Sequence, residues 1–111
     1  MKLTLTALTV AATIFASSAS AFDPDDLQKL KDASFCILCD LSGANLTGAN
    51  LSGAKLMGTN LTGANLNGAN LRKANLDGAN LRDANLSYAI MMDAILCNTT
   101  MPDGSVIYSG C

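Results

Sequence analysis

Histidine and tryptophan are both absent from the 111-residue chain, aromatic residues make up only 5% of it and charged residues 14%. Without histidine the chain lacks the commonest general base and the commonest metal ligand, so most hydrolase triads and zinc sites are excluded. Seven basic and nine acidic side chains give a net charge of −2. That balance does not suit a nucleic-acid binder or a polybasic membrane anchor. The length allows one domain. Leu3–Ala16 is a sustained apolar run, but it is diluted by threonines and shorter than the ~20 residues a membrane-spanning helix needs.

That run follows Met1-Lys2 and precedes the small-residue triplet Ala19-Ser20-Ala21, the pattern of a secretory signal peptide. Residues 1–21 are therefore expected to be cleaved, leaving a chain that starts at Phe22. Loss of Lys2 takes its charge to −3. Export to the periplasm or the extracellular space (or to another oxidising lumen) would favour pairing of the four cysteines. The segment Asp23–Asp32 (DPDDLQKLKD) reads as a short helix. Asp23 suits the N-cap and Pro24 the first turn, with acids leading and lysines trailing. Leu27 and Leu30 share a face that Ala33 or Phe35 extends. So short a helix is marginal alone and must lie against something.

From Leu41 onward the chain repeats every five residues, with leucine at positions 41, 46, 51, 56, 61, 66, 71, 76, 81 and 86, then Met91 and Leu96. Two places before each stands a small residue, from Cys39 and Ala44 to Ala94, and Asn usually lies between. Gly often occupies the second place after the leucine. In an α-helix, at about 100° per residue, leucines five apart would point in every direction. In a flat strand an odd period would send alternate leucines to opposite faces. All can face one interior only if the chain turns a corner in every unit, and Gly tolerates such corners. The outcome is a coil with pentapeptide sides, stacked by backbone hydrogen bonds about 4.8 Å apart.

Units such as Ala44-Asn45-Leu46-Thr47-Gly48 and Ala64-Asn65-Leu66-Asn67-Gly68 resemble the pentapeptide repeat family. The resemblance implies an all-β solenoid: a right-handed quadrilateral β-helix of about three coils, four pentapeptides to the turn, with the leucines inside. The expected division is a signal peptide over 1–21, a capping helix and lead-in over 22–38, the β-helix over 39–98 and a C-terminal cap over 99–111. Open ends of a short stack template aggregation. The helix is therefore expected to lay Leu27, Leu30 and Phe35 over the first coil, and Val106-Ile107-Tyr108 to cover the other end. The last two units, Ala89–Asp93 and Ala94–Asn98, lose both Asn and Gly from their usual places, so register is least defined there.

On this coil assignment Cys39 and Cys97 stand at least two rises apart, ~10 Å, whereas bridged Cα atoms lie within ~7 Å. Of the three pairings four cysteines allow, Cys36–Cys39 with Cys97–Cys111 is expected, one staple at each end. The C-x-x-C of Cys36 and Cys39 also admits a thiol–disulfide exchanger. Redox cysteines, however, sit accessible at helix N-termini; here Cys36 follows the helix and Cys39 takes an interior position. No cofactor, metal or catalytic residue is expected. Among outward positions, Tyr88, Ile90, Met92 and Ile95 stand where other units carry Gly, Asn or Ser. They form a candidate interaction patch, which the C-terminal Val106-Ile107-Tyr108 is expected to fold back over.

The reading of function is an exported, non-enzymatic structural or protein-interaction module. It is expected to be a monomer with an unknown protein partner, without nucleic acid and without membrane insertion after signal cleavage. A redox protein using Cys36 and Cys39 is the second reading. The third comes from the family resemblance, some of whose members mimic duplex DNA and bind DNA gyrase. Those need a long acidic stack in the cytoplasm, and this stack is short, mostly Asn on its outside and exported.

Overall fold

The structure, a computed structural model, describes residues 22–111; the expected signal peptide lies outside the described residues. Helix α1, Pro24–Ala33, begins where the sequence places its cap: the Asp23 carboxylate accepts from the Asp25 N–H at 2.9 Å. Asp25 and Asp26 occupy the first turn and Lys31 the last, each matched to the nearer pole of the helix dipole. Ser34 ends it in the left-handed conformation, with its N–H donating to the Leu30 carbonyl.

Beyond α1 the chain passes back over itself every twenty residues. Parallel bridges join Phe35 to Lys55, Asp40 to Asn60, Asn45 to Asn65, Asn50 to Asn70, and so on to Asn80 with Thr100. Neighbouring levels donate to and accept from each other. The Leu41 N–H donates to the Asn60 carbonyl at 2.8 Å, and the Asn60 N–H donates to the Cys39 carbonyl at 2.9 Å. Twenty residues are four of the five-residue units, so every residue lies over its counterpart four units on. Among the described residues the only continuous strands are β1, Leu96–Thr100, and β2, Val106–Ser109, which pair antiparallel. Elsewhere each side is too short for more than one bridge before the next turn.

The five-residue leucines form the core. Leu41, Leu56, Leu61, Leu66, Leu71, Leu76 and Leu81 are fully buried, with Ala44, Ala54, Ala64, Ala69 and Ala74 between them. Full burial stabilises by roughly 1.5–3 kcal/mol per leucine side chain, and it is continuous along the stack. The bridges reach beyond the legible Cys39–Asn98 units at both ends. Cys36, fully buried, holds a leucine position, and buried Thr99 holds a small-residue position. Phe35 does not lie over the first coil as expected. Its place in the unit is the outward one usually held by Asn, and it is 41% exposed.

The corners are four-residue turns. The Ala54 N–H donates to the Leu51 carbonyl at 3.0 Å, with Gly53 between them at φ +70°. A positive φ at the third residue is the requirement of a type II turn, which Gly meets without strain. Lys73, Asp83, Tyr88 and Asp93 occupy the same place at φ +59° to +62°. The Asn before each leucine closes the next corner: the Asn45 carbonyl oxygen accepts from both the N–H and the hydroxyl of Thr47. Asn50, Asn60, Asn65, Asn70, Asn75, Asn80 and Asn85 accept in the same way from the N–H two residues on. The asparagine column therefore serves the backbone.

Candidate interaction surface

The two ends of the stack are finished differently. At the first level the Asp40 carbonyl accepts from the Asp23 N–H at 3.0 Å, and the Asp40 N–H donates to the Asp26 carboxylate at 2.9 Å. Residues at the start of α1 thus supply the bonds an upper level would have made, while Leu30, 2% exposed, joins the core. At the last level Leu86, Met91, Leu96 and Met101 hold interior positions but are only half-buried. They have no further unit beneath them. Strand β2 runs along β1, with Thr99 opposite Ile107 and Thr100 opposite Val106. Val106 and Tyr108 themselves stay exposed.

The expected covering of the apolar patch by the C-terminal tail does not occur. Tyr88 is 87% exposed, Met92 58% and Ile90 43%. The tail reaches only Ile95, where Gly110 packs against its backbone and side chain and leaves it half-buried. The reason is pairing: β2 is bound to β1 by its own backbone and cannot also lie across the units that carry Tyr88, Ile90 and Met92. All four patch residues therefore belong to the last level, three of them open to solvent.

Cys36 is bonded to Cys39, with Cα atoms 5.3 Å apart, and Cys97 to Cys111, with Cα atoms 4.9 Å apart. Their surroundings contrast. Cys36 and Cys39 are 0% and 4% exposed, beneath α1, whereas Cys111 lies on the surface. In the turn between β1 and β2, the Ser105 hydroxyl and N–H donate to the Asp103 carboxylate at 2.6 and 2.9 Å. These bonds, the hydroxyl's above all, hold Asp103 below the usual aspartate range. Among the described residues no cluster of acidic or cysteine side chains could hold a metal ion, and no helix is long and apolar enough to cross a membrane.

A family profile described as pentapeptide repeats matches the chain in eight copies, over residues 30–63, 39–77 and 64–101. The chain belongs to the pentapeptide repeat family. Its fold is the right-handed β-helix of that family. Among solved structures it is similar to HetL, a pentapeptide repeat protein involved in heterocyst differentiation regulation in the cyanobacterium Nostoc sp. strain PCC 7120. Identity is 38% and the TM-score 0.62, over 66% of this chain and 36% of HetL. It is also similar to a pentapeptide repeat protein of the Arabidopsis thaliana thylakoid lumen: identity 32%, TM-score 0.39, over 64% of this chain and 55% of that one. This pentapeptide repeat chain thus spans little more than a third of HetL and about half of the Arabidopsis protein. A comparison with curated protein sequences finds no match.

The half-buried Leu86 and Met91 of the last level are not among the patch residues singled out from sequence. The signal was present in the interior phase, which runs through both residues with no repeat unit twenty positions further on.

Proposed function

We propose that this pentapeptide repeat chain is an exported, non-enzymatic structural or protein-interaction module. In this reading it is a four-sided stack of about three coils, with α1 as the lid at one end and the interaction surface at the other. The exposure of Tyr88, Ile90 and Met92, three large apolar side chains within five residues of one level, carries the reading, because clustered exposed apolar side chains mark interaction surfaces. The N-terminal apolar run with its small-residue triplet supports export, and two disulfides suit an oxidising destination. Thiol exchange at Cys36 and Cys39 would need an accessible sulfur, and both are buried under α1.

The experiment has two parts. Mass spectrometry of the chain recovered after export should give an N-terminus at Phe22 and no free thiol. An insulin-reduction assay should give the buffer rate for the wild type and for Cys36→Ser/Cys39→Ser alike. Turnover by the wild type that the double variant loses would replace the scaffold with a redox enzyme.

A further inference from the structure

We propose that the cleft between α1 and residues 44–53 of the first level takes an extended, positively charged peptide segment of another protein. That segment adds to the β-helix as the strand its first level lacks. The site lies at the opposite end of the stack from Tyr88, Ile90 and Met92, and so goes beyond the scaffold reading above.

The path of α1 leaves this edge open. The helix starts over Asp40, which the Asp23 N–H and the Asp26 carboxylate engage, and ends at Ser34, whose carbonyl accepts from the Lys55 N–H at 3.0 Å. It thus crosses the top of the stack from Asp40 to the corner before Lys55, and Leu30 closes the centre. The units 44–48 and 49–53 are left without backbone above them among the described residues. One level down, the bonds a covering backbone supplies are all made. The Asn65 N–H donates to the Ala44 carbonyl, and the carbonyls of Asn65 and Asn67 accept from the Leu46 and Gly48 N–H groups, at 2.8 to 2.9 Å. On the first level the N–H groups of Asn45 and Asn50 and the carbonyls of Asn45, Thr47, Asn50 and Ser52 make no such bonds among the described residues.

A cleft of about 380 Å³ lies over this edge, with Leu30, Lys31 and Ser34 on one wall and residues 45–47 and 49–51 on the other. Leu46 and Leu51, each 4% exposed, give it an apolar base. An unpaired strand edge beside an apolar cleft is the arrangement to which a peptide strand adds. Along one unit such a strand gains the same three backbone bonds that Asn65 and Asn67 make.

The charge of the occupant follows from its surroundings. Unpaired carbonyls on the edge outnumber unpaired N–H groups four to two, so the edge calls for donors. The net charge of −3 on residues 22–111 also belongs wholly to this end. Asp23, Asp25, Asp26, Asp32 and Asp40 are offset only by Lys29 and Lys31, whereas the other four acidic and four basic side chains cancel. Helix α1 ends beside the cleft at Ser34, which places the negative pole of its dipole there. A lysine- or arginine-bearing segment meets all three conditions, and an acidic one meets none. Lys31 is the one cation on the wall, so removing its charge favours the occupant.

Calorimetric titration of the oxidised chain with an acetylated, amidated KTKVKTK peptide, up to about 1 mM, tests this. Binding is expected, with slower exchange of the Asn45 and Asn50 amide hydrogens. The same peptide methylated at every backbone nitrogen should bind at least tenfold more weakly, and ETEVETE should not bind. Lys31→Gln should tighten binding and Asp32→Asn weaken it; both side chains are exposed, and an unchanged circular dichroism spectrum checks the fold. No binding at the highest concentration, equal binding of the methylated peptide, or binding that leaves the Asn45 and Asn50 amides unchanged would each overturn the proposal. The last two outcomes would show a peptide adsorbed by charge alone. None of them touches the Tyr88, Ile90 and Met92 surface or the reductase assay.

Discussion

The Thr99 hydroxyl donates to the Leu76 carbonyl at 2.7 Å, twenty-three residues back and one level up. Thr59 stands in the same relation to the Cys36 carbonyl, again twenty-three residues back. Both threonines are fully buried in positions that most units fill with alanine. The stack accepts a hydroxyl there because a carbonyl of the level above is within reach.

Replacing Thr59 or Thr99 by Val keeps the volume and removes that donor. Thr99→Val should cost about 1 kcal/mol, the usual net value of one hydrogen bond, since the Leu76 carbonyl still accepts from the Ala79 N–H at 2.9 Å. Thr59→Val should cost more, about 1–3 kcal/mol, because the buried Cys36 carbonyl loses the Thr59 hydroxyl as its partner. Guanidinium denaturation of the two variants is the measurement. A loss beyond about 3 kcal/mol would mean that the valine methyl does not fit.

Leu66→Ala should destabilise by about 2–5 kcal/mol, because Leu66 is fully buried with levels above and below it. Leu86→Ala should cost distinctly less when the chain is held dilute, Leu86 being half-buried at the open end. Equal costs would show that the last level is as well covered as the middle.

Much of this was legible in the sequence because an odd period in leucine admits few backbones. The interior leucines, the corner asparagines and the helix cap at Asp23 could all be read from local chemistry. What could not be read was the behaviour of residues that keep the phase but change type. Cys36 continues the leucine phase without a motif around it. Phe35 looked like a core residue by composition, yet its place in the unit turns it outward. The tail was expected over Tyr88, Ile90 and Met92 because those residues are apolar; backbone pairing with β1 took it elsewhere.

Lys73 and Asp83 hold φ +59° and +61° at corners that other units give to Gly. A non-glycine residue in that region costs roughly 1–2 kcal/mol, partly offset by the greater chain entropy of Gly. Lys73→Gly should therefore raise stability by about 0.5–1 kcal/mol. Gly63→Ala, at φ +68° with open space around the added methyl, should lower it by a similar amount. Thermal unfolding monitored by circular dichroism checks both signs.

Mild dithiol treatment should open Cys97–Cys111 well before Cys36–Cys39, because Cys111 is exposed and the other pair is buried. Alkylation followed by mass spectrometry should show labels on 97 and 111 first. Replacing that pair by Ser should cost about 3 kcal/mol in the chain-entropy model for a loop of this length.

Asp103 is held below the usual aspartate range by the Ser105 hydroxyl and N–H. Its folded value is depressed, so its contribution is present above the unfolded value and is lost as pH falls through the folded one. Carbon-detected NMR titration should place Asp103 below the usual aspartate range. Ser105→Ala should move it back toward that range, and an unmoved titration would exclude the hydroxyl as the cause.

Bridges joining each residue to its counterpart twenty positions on also restrict how such a chain can lengthen or shorten. Inserting or losing a single unit rotates everything downstream by a quarter revolution, carrying Tyr88, Ile90 and Met92 round to a different side relative to α1. A change of four units alters only the height and leaves both ends facing as before. Viable insertions and deletions in this architecture should therefore come in steps of twenty residues wherever the relative orientation of its two ends matters.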